Sequence, residues 1–178
     1  DMHEKGWSFN HDEESAQLYG TTGDVLYGDS YIAEKYSSQD PDYSGVNSVP
    51  ILWDKKNKVI VNNESSEIIR MFNSAFNEVT GNTLDYYPED LREKIDSENE
   101  FVYHNINNGV YKTGFATTQA AYNKNVRQLF LALDQVENKL SNQRYLTGNQ
   151  LTEADWRLWV TLVRFDSVYH THFKCNLR

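Results

Sequence analysis

The sequence has little cysteine, no long apolar run and a shortage of positive charge, and each of these narrows what the protein can be. Its single cysteine excludes an internal disulfide. Because the sequence has no signal-like apolar segment, we expect a cytoplasmic protein. No run approaches the ~18 apolar residues of a transmembrane helix. The 17 Lys and Arg residues against 26 Asp and Glu give a net charge of −9, which argues against nucleic acid or an anionic membrane as a partner.

Aromatic side chains are abundant by contrast, at 13% of the chain, and they argue against disorder. The 178 residues are enough for one domain or two small ones. Residues 1–62 look irregular, with a short helix expected at 30–36. A β-hairpin is expected from a strand at 49–53, a turn at 54–58 and a returning strand at 59–61.

From residue 62 onward, the spacing of apolar residues predicts helices. Asn62 and Asn63 are the expected caps of a helix over 64–77. The next helical segment is expected to have Pro88 at its first position and to loosen at 107–109.

Two further helices are expected in the last third of the chain. Thr117 or Thr118 begins a long amphipathic helix that runs to about Leu140. Thr152 and Asp155 have the spacing of a capping box at the start of the other. That helix is apolar on most sides, so we expect it at the centre of a helical bundle.

Several stretches, in this order along the chain, resemble one family. They are residues 49–54, 61–70, 108–112 and 114–116, and 163–166 running on to 172–178. Together they are similar to the glutathionyl-hydroquinone reductases, the xi class of glutathione transferases, over almost the whole chain. The resemblance implies a mostly helical protein: an α+β remnant of a thioredoxin-like, glutathione-binding domain at 1–80, then an all-α glutathione transferase C-terminal domain at 81–178.

The resemblance also implies an activity, the glutathione-dependent reduction of glutathionyl-hydroquinones. Glutathione is then the cosubstrate, a quinone-type small molecule is the other partner, and no metal is needed. The family carries its nucleophilic cysteine in a Cys-Pro-Trp-Ala type motif, which this sequence lacks, and it continues through further helices. We therefore expect an internal piece of a longer protein, a homodimer when complete and inactive by itself. The alternative is a non-catalytic structural or interaction module of the same fold.

The resemblance implies four glutathione-binding residues: Trp7, Val49, Glu64 and Ser65. Glu64 and Ser65 open a helix, whose N-terminus can hold an anion, although ordinary helix capping is the alternative. Val49 precedes Pro50, and the family uses a cis bond there to expose backbone groups that pair with the cysteinyl part of glutathione; a trans-proline at a strand start is the alternative.

Trp7 matches a family tryptophan that contacts glutathione, and a hydrophobic anchor in a loop is its alternative role. Val46 departs from the family pattern. The family typically places an arginine there to help bind glutathione, and a valine side chain cannot donate a hydrogen bond to a carboxylate.

Two tyrosines are implied as catalytic. Tyr111 matches the family's proton donor or acceptor for the quinol, and Tyr169 matches a tyrosine credited with lowering the pKa of the catalytic cysteine. A phenol hydroxyl can donate to a thiolate or to a quinol oxygen, and either bond favours the anion. A structural role is the alternative for any one of the 12 tyrosines.

Cys175 is expected to be structural rather than nucleophilic. Activated thiolates usually lie at helix N-termini beside cationic donors, whereas Cys175 follows a long helix. His170, His172 and Cys175 have a spacing that fits no common zinc pattern.

Overall fold

The computed structural model describes residues 2–3, 6–9, 12–20 and 22–177. The chain divides into two compact units, Asp1–Ala75 and Phe76–Arg178, and each is described by itself. The assignment of a thioredoxin-like domain to 1–80 and a helical domain to 81–178 stays a prediction. Within the described residues, no helix is both long enough and apolar enough to cross a membrane.

The first unit consists of short strands and helices. Its elements are β1 (Met2–His3), β2 (Gly6–Trp7), α1 (Glu13–Tyr19), α2 (Ala33–Gln39), β3 (Leu52–Asp54), β4 (Val59–Asn62) and α3 (Ser65–Ser74). β1 pairs antiparallel with β2, and β3 pairs antiparallel with β4, so the expected hairpin is present. Asp54 closes its turn, because its carboxylate accepts hydrogen bonds from the N–H groups of Lys56 (2.8 Å) and Asn57 (3.0 Å).

Two helix starts in this unit differ from the prediction. α2 begins at Ala33 rather than at residue 30, because the Glu34 carboxylate already holds the N–H groups of Ser30 (2.8 Å) and Tyr31 (2.9 Å) outside the helix. The caps assigned to Asn62 and Asn63 are wrong. Glu64 is the N-cap of α3, and its carboxylate accepts a hydrogen bond from the N–H of Ser66.

The second unit is helical. Its elements are α4 (Asn77–Thr80), a 3₁₀ turn (Glu89–Leu91), α5 (Arg92–Val102), a π-helical turn (Tyr103–Asn107), α6 (Asn108–Gly114), α7 (Gln119–Leu140), α8 (Glu153–Leu162) and a second π-helical turn (Phe165–His170). Thr118 caps α7 as expected, through a hydrogen bond from the N–H of Ala121. Pro88 lies just before the 3₁₀ turn and not at the first position of a helix, which corrects the prediction.

The break expected at 107–109 is also wrong, because the first π-helical turn carries the chain directly from α5 into α6. The Asn107 side chain explains why a polar stretch stays helical here. Its amide donates to the carbonyl of Arg157 (3.0 Å) and to the hydroxyl of Thr161 (2.7 Å), both in α8. A tertiary contact therefore outweighs the local preference of Asn and Gly for loops.

The core of the second unit is formed by side chains from every long helix. Its buried members are Ile95, Val102, Ile106, Val110, Leu129, Ala132, Val136, Leu146, Ala154, Leu158, Tyr169 and Cys175. Burying an aliphatic side chain of this size contributes about 1.5–3 kcal/mol to folding. The loop after α7 places Leu146 in this core.

The central position expected for α8 is not what the described chain shows. α8 packs against α5 and the first π-helical turn, and it buries Ala154, Leu158 and Thr161 on that side. Leu162 is partly buried against the core, whereas Trp156, Trp159 and Val160 are about half exposed. The described residues bury one face of α8 and leave the opposite face partly exposed, with Trp156 in edge-to-face contact with Tyr86.

Candidate functional site

The first unit presents Glu64 and Ser65 at the start of α3. Both residues are exposed, and Glu64 has extended backbone while Ser65 is the first helical residue. The Glu64 carboxylate accepts hydrogen bonds from the N–H (3.2 Å) and the hydroxyl (3.1 Å) of Ser66. An exposed carboxylate beside a helix N-terminus offers one acceptor for an ammonium group and a positive dipole end for an anion.

Val49 and Trp7 belong to the same unit. The Val49–Pro50 bond is cis, as the resemblance implied, and Val49 is exposed. Trp7 lies in β2, where its carbonyl accepts a hydrogen bond from Ile32 (2.9 Å) and its side chain is partly exposed. Gly6 lies next to the segment before Val49, because a Cβ atom on Gly6 would stand 3.9 Å from the Cβ of Asn47.

Val46 is fully on the surface, and its carbonyl accepts a hydrogen bond from the hydroxyl of Tyr43 (3.0 Å). Its side chain supplies no hydrogen-bond donor where the family typically has an arginine.

In the second unit, Tyr111 of α6 and Tyr169 of the second π-helical turn are adjacent. Their hydroxyl oxygens are 3.4 Å apart and their rings meet edge to face, with centroids at 5.8 Å. Tyr169 is only 3% exposed, whereas Tyr111 is 42% exposed. Two tyrosines separated by 58 residues in sequence therefore form one pair, in which Tyr169 is buried and Tyr111 is partly exposed.

Burial and the hydrogen bond with Tyr111 raise the pKa of Tyr169 to about 12. The buried phenol is therefore neutral at physiological pH, and it keeps a proton that it can donate. This protonation state fits a role as a hydrogen-bond donor to an anion.

Two phenylalanines complete an aromatic cluster around the pair. Phe173 packs edge-on against Tyr111 (5.4 Å) and against Tyr169 (5.5 Å). Phe115 stacks on Tyr111 with its ring 22° from parallel, and 72% of its surface is exposed. Tyr111 and Phe115 together present an exposed aromatic surface. Aromatic rings attract one another in stacked or edge-to-face arrangements, so such a surface suits an aromatic ligand.

Cys175 is completely buried beneath α6, with its thiol 3.7 Å from the carbonyl oxygen of Val110. Burial raises its pKa to about 11, although a hydrogen bond with Thr113 acts in the opposite direction. A thiol with this pKa is protonated at neutral pH and makes a poor nucleophile. Among the described residues, no group of three or more His, Cys, Asp and Glu side chains is arranged to hold a metal ion.

Several residues of these two sites are not among those predicted from the sequence. Tyr36, Asn63 and Ser48 form a hydrogen-bonded group between the Val49 and Glu64 segments, and no local pattern marks them. Phe115 and Phe173 lie inside stretches that resembled the family, 114–116 and 172–178, so position in those stretches was an available signal.

Residues 119–178 match the sequence model of the family described as "Glutathione S-transferase, C-terminal domain". The chain is 54% identical, over 98% of its length, to the glutathionyl-hydroquinone reductase YqjG of Escherichia coli K12. It is 50% identical, over 99% of its length, to the glutathionyl-hydroquinone reductase PcpF of Sphingobium chlorophenolicum. These matches cover 52% and 56% of the two relatives, so the chain spans about half the length of the curated relatives it matches.

Solved structures agree with this similarity. The glutathione-bound structure of YqjG, a glutathione transferase homolog from Escherichia coli K-12, superposes with a TM-score of 0.93 at 54% identity, over 99% of this chain and 56% of that one. Glutathione transferase Xi 1 from Trametes versicolor superposes with a TM-score of 0.91 at 53% identity, over 99% of this chain and 61% of that one.

Proposed function

From the premise that this chain is related in sequence and in fold to the xi-class glutathione transferases, we propose that it provides part of a glutathione-dependent enzyme that reduces glutathionyl-hydroquinones. The observation that supports this most directly is the tyrosine pair, a buried Tyr169 and a partly exposed Tyr111 whose hydroxyl oxygens are 3.4 Å apart beside an exposed aromatic surface. Glutathione and a hydroquinone are the ligands of the proposal. A homodimer and a cytoplasmic location are further expectations for the whole protein.

Glutathione is proposed to bind along one face of the first unit. The Glu64 carboxylate receives the ammonium group of the γ-glutamyl residue, and the α3 N-terminus at Ser65 receives its carboxylate. The backbone of Val49 pairs with the cysteinyl residue, and Trp7 supplies an apolar contact. The exposure of Glu64, Ser65 and Val49 supports this assignment, because each group is accessible to a ligand.

The hydroquinone ring is proposed to lie on the surface of Tyr111 and Phe115. The Tyr111 hydroxyl then exchanges a proton with a quinol oxygen, and the neutral Tyr169 phenol donates a hydrogen bond to Tyr111 or to an anion beside it. A donor held next to the proton-transfer group stabilises the negative charge that develops in the transition state.

The nucleophile of the proposed reaction is a cysteine thiolate outside this sequence. It attacks the glutathionyl sulfur, so that a disulfide forms while the carbon–sulfur bond breaks and the ring carbon takes a proton. A second glutathione thiolate then attacks this mixed disulfide, releasing oxidised glutathione and the free thiolate. Cys175 cannot replace this nucleophile, because it is buried and its pKa is about 11.

Val46 and Cys175 favour a second candidate function for the chain by itself. The absence of a donor at Val46 weakens the proposed glutathione site, and the only thiol in the chain is inaccessible. A non-catalytic module with the glutathione transferase fold would show both features.

Tyr111→Phe tests the proposed catalytic role. The change removes only the hydroxyl of a partly exposed residue and keeps the ring, so folding should be nearly unaffected. With the chain joined to a family-type cysteine segment, deglutathionylation of a glutathionyl-hydroquinone should fall by about 10²–10⁴-fold, which is the usual contribution of general acid–base catalysis. Tyr122→Phe is the matched control, because its hydroxyl donates to the carbonyl of Lys174 outside the tyrosine pair.

Equal activity of Tyr111→Phe and its parent would contradict the proposed proton-transfer role and indicate that Tyr111 is structural. The chain without the added segment should show no turnover, and turnover by that chain would contradict the assignment of the nucleophile to another segment. Binding of glutathione with no turnover by the joined form would favour the non-catalytic module.

A further inference from the structure

Tyr36 of α2 is an almost fully buried tyrosine whose hydroxyl lies between two separate segments of the first unit. Only 5% of the residue is exposed. Its hydroxyl donates to the carbonyl oxygen of Ser48 (2.8 Å) and accepts from the side-chain amide of Asn63 (3.1 Å). One phenol oxygen therefore links residues that are 15 positions apart in the sequence.

The Asn63 amide closes this group, because it also donates to the hydroxyl of Ser48 (3.0 Å). The Tyr36 ring is held as well, since it stacks on Tyr43 with centroids at 4.9 Å and planes 24° apart. The position of the phenol oxygen is therefore fixed both by the packing of its ring on Tyr43 and by its hydrogen bonds with Ser48 and Asn63. We refer to Tyr36, Ser48 and Asn63 as the hydroxyl bridge.

Each end of the hydroxyl bridge directly precedes a residue proposed to bind glutathione. Ser48 comes just before Val49, and Asn63 comes just before Glu64. These two residues serve different parts of the tripeptide, the cysteinyl backbone and the γ-glutamyl ammonium group. A ligand that spans both gains its full binding energy only if the spacing between them is already set.

We propose that Tyr36 is a positioning residue for glutathione, and that its hydroxyl sets the spacing between the Val49 segment and the start of α3. The proposal rests on the proposed function for the identity of the ligand. The joining of the two segments by the hydroxyl bridge is a property of the free protein and does not depend on any ligand.

Tyr36→Phe tests the role of the bridge, because it removes the phenol oxygen and keeps the stacked ring. Glutathione binding by the chain should weaken about 5–10-fold, which corresponds to the loss of one net hydrogen bond. γ-Glutamyl methylamide, which reaches only the start of α3, should bind the variant within about twofold of the parent, measured by chemical-shift titration. Asn63→Ala should reproduce this pattern, and the double variant should be no weaker than either single one.

Tyr122→Phe is the control, because it removes a tyrosine hydroxyl that donates to a backbone carbonyl in the other unit. It should leave the binding of both ligands unchanged. Equal binding of glutathione by Tyr36→Phe and its parent would overturn the proposal, and so would an equal loss for both ligands, which would indicate general loosening of the unit.

Hydrogen exchange separates this proposal from the proposed function. In ligand-free Tyr36→Phe, exchange should rise both at 48–54 and at 63–67 and stay unchanged over 92–140. A rise in one segment only, or in neither, would overturn the bridge even if glutathione binds. Failure of the parent chain to bind glutathione would contradict the proposed ligand, and the exchange data would still decide whether Tyr36 joins the two segments.

Discussion

Gly114, the last residue of α6, lies where the aromatic cluster leaves no room for a side chain. A Cβ atom here would overlap the ring of Phe173 and come within 2.8 Å of its Cβ. Phe173 in turn packs edge-on against both members of the tyrosine pair. The missing side chain of Gly114 therefore lets Phe173 support Tyr111 and Tyr169.

Gly114→Ala should destabilise the chain by about 1–3 kcal/mol, which is typical of overpacking a filled site. The sign of this change in the free energy of unfolding is informative, because replacing glycine by alanine within a helix normally stabilises a protein by about 0.5–1 kcal/mol. Urea unfolding measures the change. In a Phe173→Ala background the cost of Gly114→Ala should shrink, because the two nearest overlapping atoms, Cδ1 and Cγ of Phe173, are gone. An unchanged or increased stability of Gly114→Ala would show that Phe173 moves aside freely.

At the scale of single residues, the sequence predicted the chemical state of a side chain better than its hydrogen-bond partners. The buried, protonated state of Cys175 agrees with what its position after a long helix suggested. The cap of α3 was assigned to Asn62 and Asn63 because asparagine is a preferred capping residue. In the structure Glu64 is the N-cap, the Asn63 amide belongs to the hydroxyl bridge, and Asn62 accepts the N–H of Glu64 itself (2.6 Å), outside the helix. The tertiary bonds of Asn63 have no local sequence signal.

At the scale of elements, the start of α8 has more hydrogen bonds than a capping box alone requires. The box is present as predicted, and one Asp155 oxygen accepts the N–H of Thr152 (2.9 Å). The other oxygen accepts the N–H of Leu146 (2.8 Å), a core residue of the preceding loop. Asp155 therefore ties the loop to the helix as well as capping the helix.

Asp155→Ala should destabilise the chain by about 2 kcal/mol, which is more than an average cap, because a second N–H loses its partner. Glu137→Ala, at an exposed position of α7, is the control and should change stability by less than about 0.5 kcal/mol. Urea denaturation of both variants measures the difference. A loss for Asp155→Ala no larger than that of the control would mean that neither the box nor the Leu146 bond contributes to stability.

Helix positions were predictable from apolar spacing wherever the helix buries one stripe, as in α7. Two features were not predicted from apolar spacing, because they depend on other parts of the chain. The polar stretch at 107–109 stays helical because Asn107 bonds to α8. One face of α8 is buried, and Trp156, Trp159 and Val160 on its other side stay about half exposed. The spacing of apolar residues identifies the apolar face of a helix, whereas the tertiary structure decides which residues pack against that face.

At the scale of the whole molecule, the two units are stabilised in different ways. The second unit has a continuous core of buried aliphatic and aromatic side chains. In the first unit, the described apolar residues that are buried are only Tyr36 and Ile68. A buried cation adds to its structure: the Lys35 ammonium group contacts the carboxylates of Asp24 (2.6 Å) and Asp29 (2.5 Å) and lies 4.1 Å from the ring centre of Tyr27.

This ion cluster makes the first unit sensitive to acid. Burial by itself raises the pKa of Asp24, but hydrogen bonds from Lys35 and from the N–H groups of Leu26, Tyr27 and Asp29 outweigh burial and leave the pKa below its usual value of 3.8. The native state thus binds fewer protons than the unfolded state in this range. The resulting stability is complete above the unfolded pKa and is lost as the pH falls through the native one.

We therefore expect acid to open the first unit before the second. Hydrogen exchange followed by mass spectrometry, from pH 7 down to pH 3 and corrected for intrinsic rates, should show residues 22–75 losing protection at a higher pH than residues 92–140.

Lys35→Met should already lower protection of 22–75 at pH 7, because it leaves two carboxylates without their cation. The further loss of protection on acidification should be smaller in this variant than in the parent. Lys139→Met is the matched control, since it removes a cation paired with Glu98 in the second unit and should leave the acid response of 22–75 unchanged. Simultaneous loss of protection in both units, or an acid response of Lys35→Met equal to that of the parent, would mean that the Lys35 cluster does not set the acid limit of the molecule.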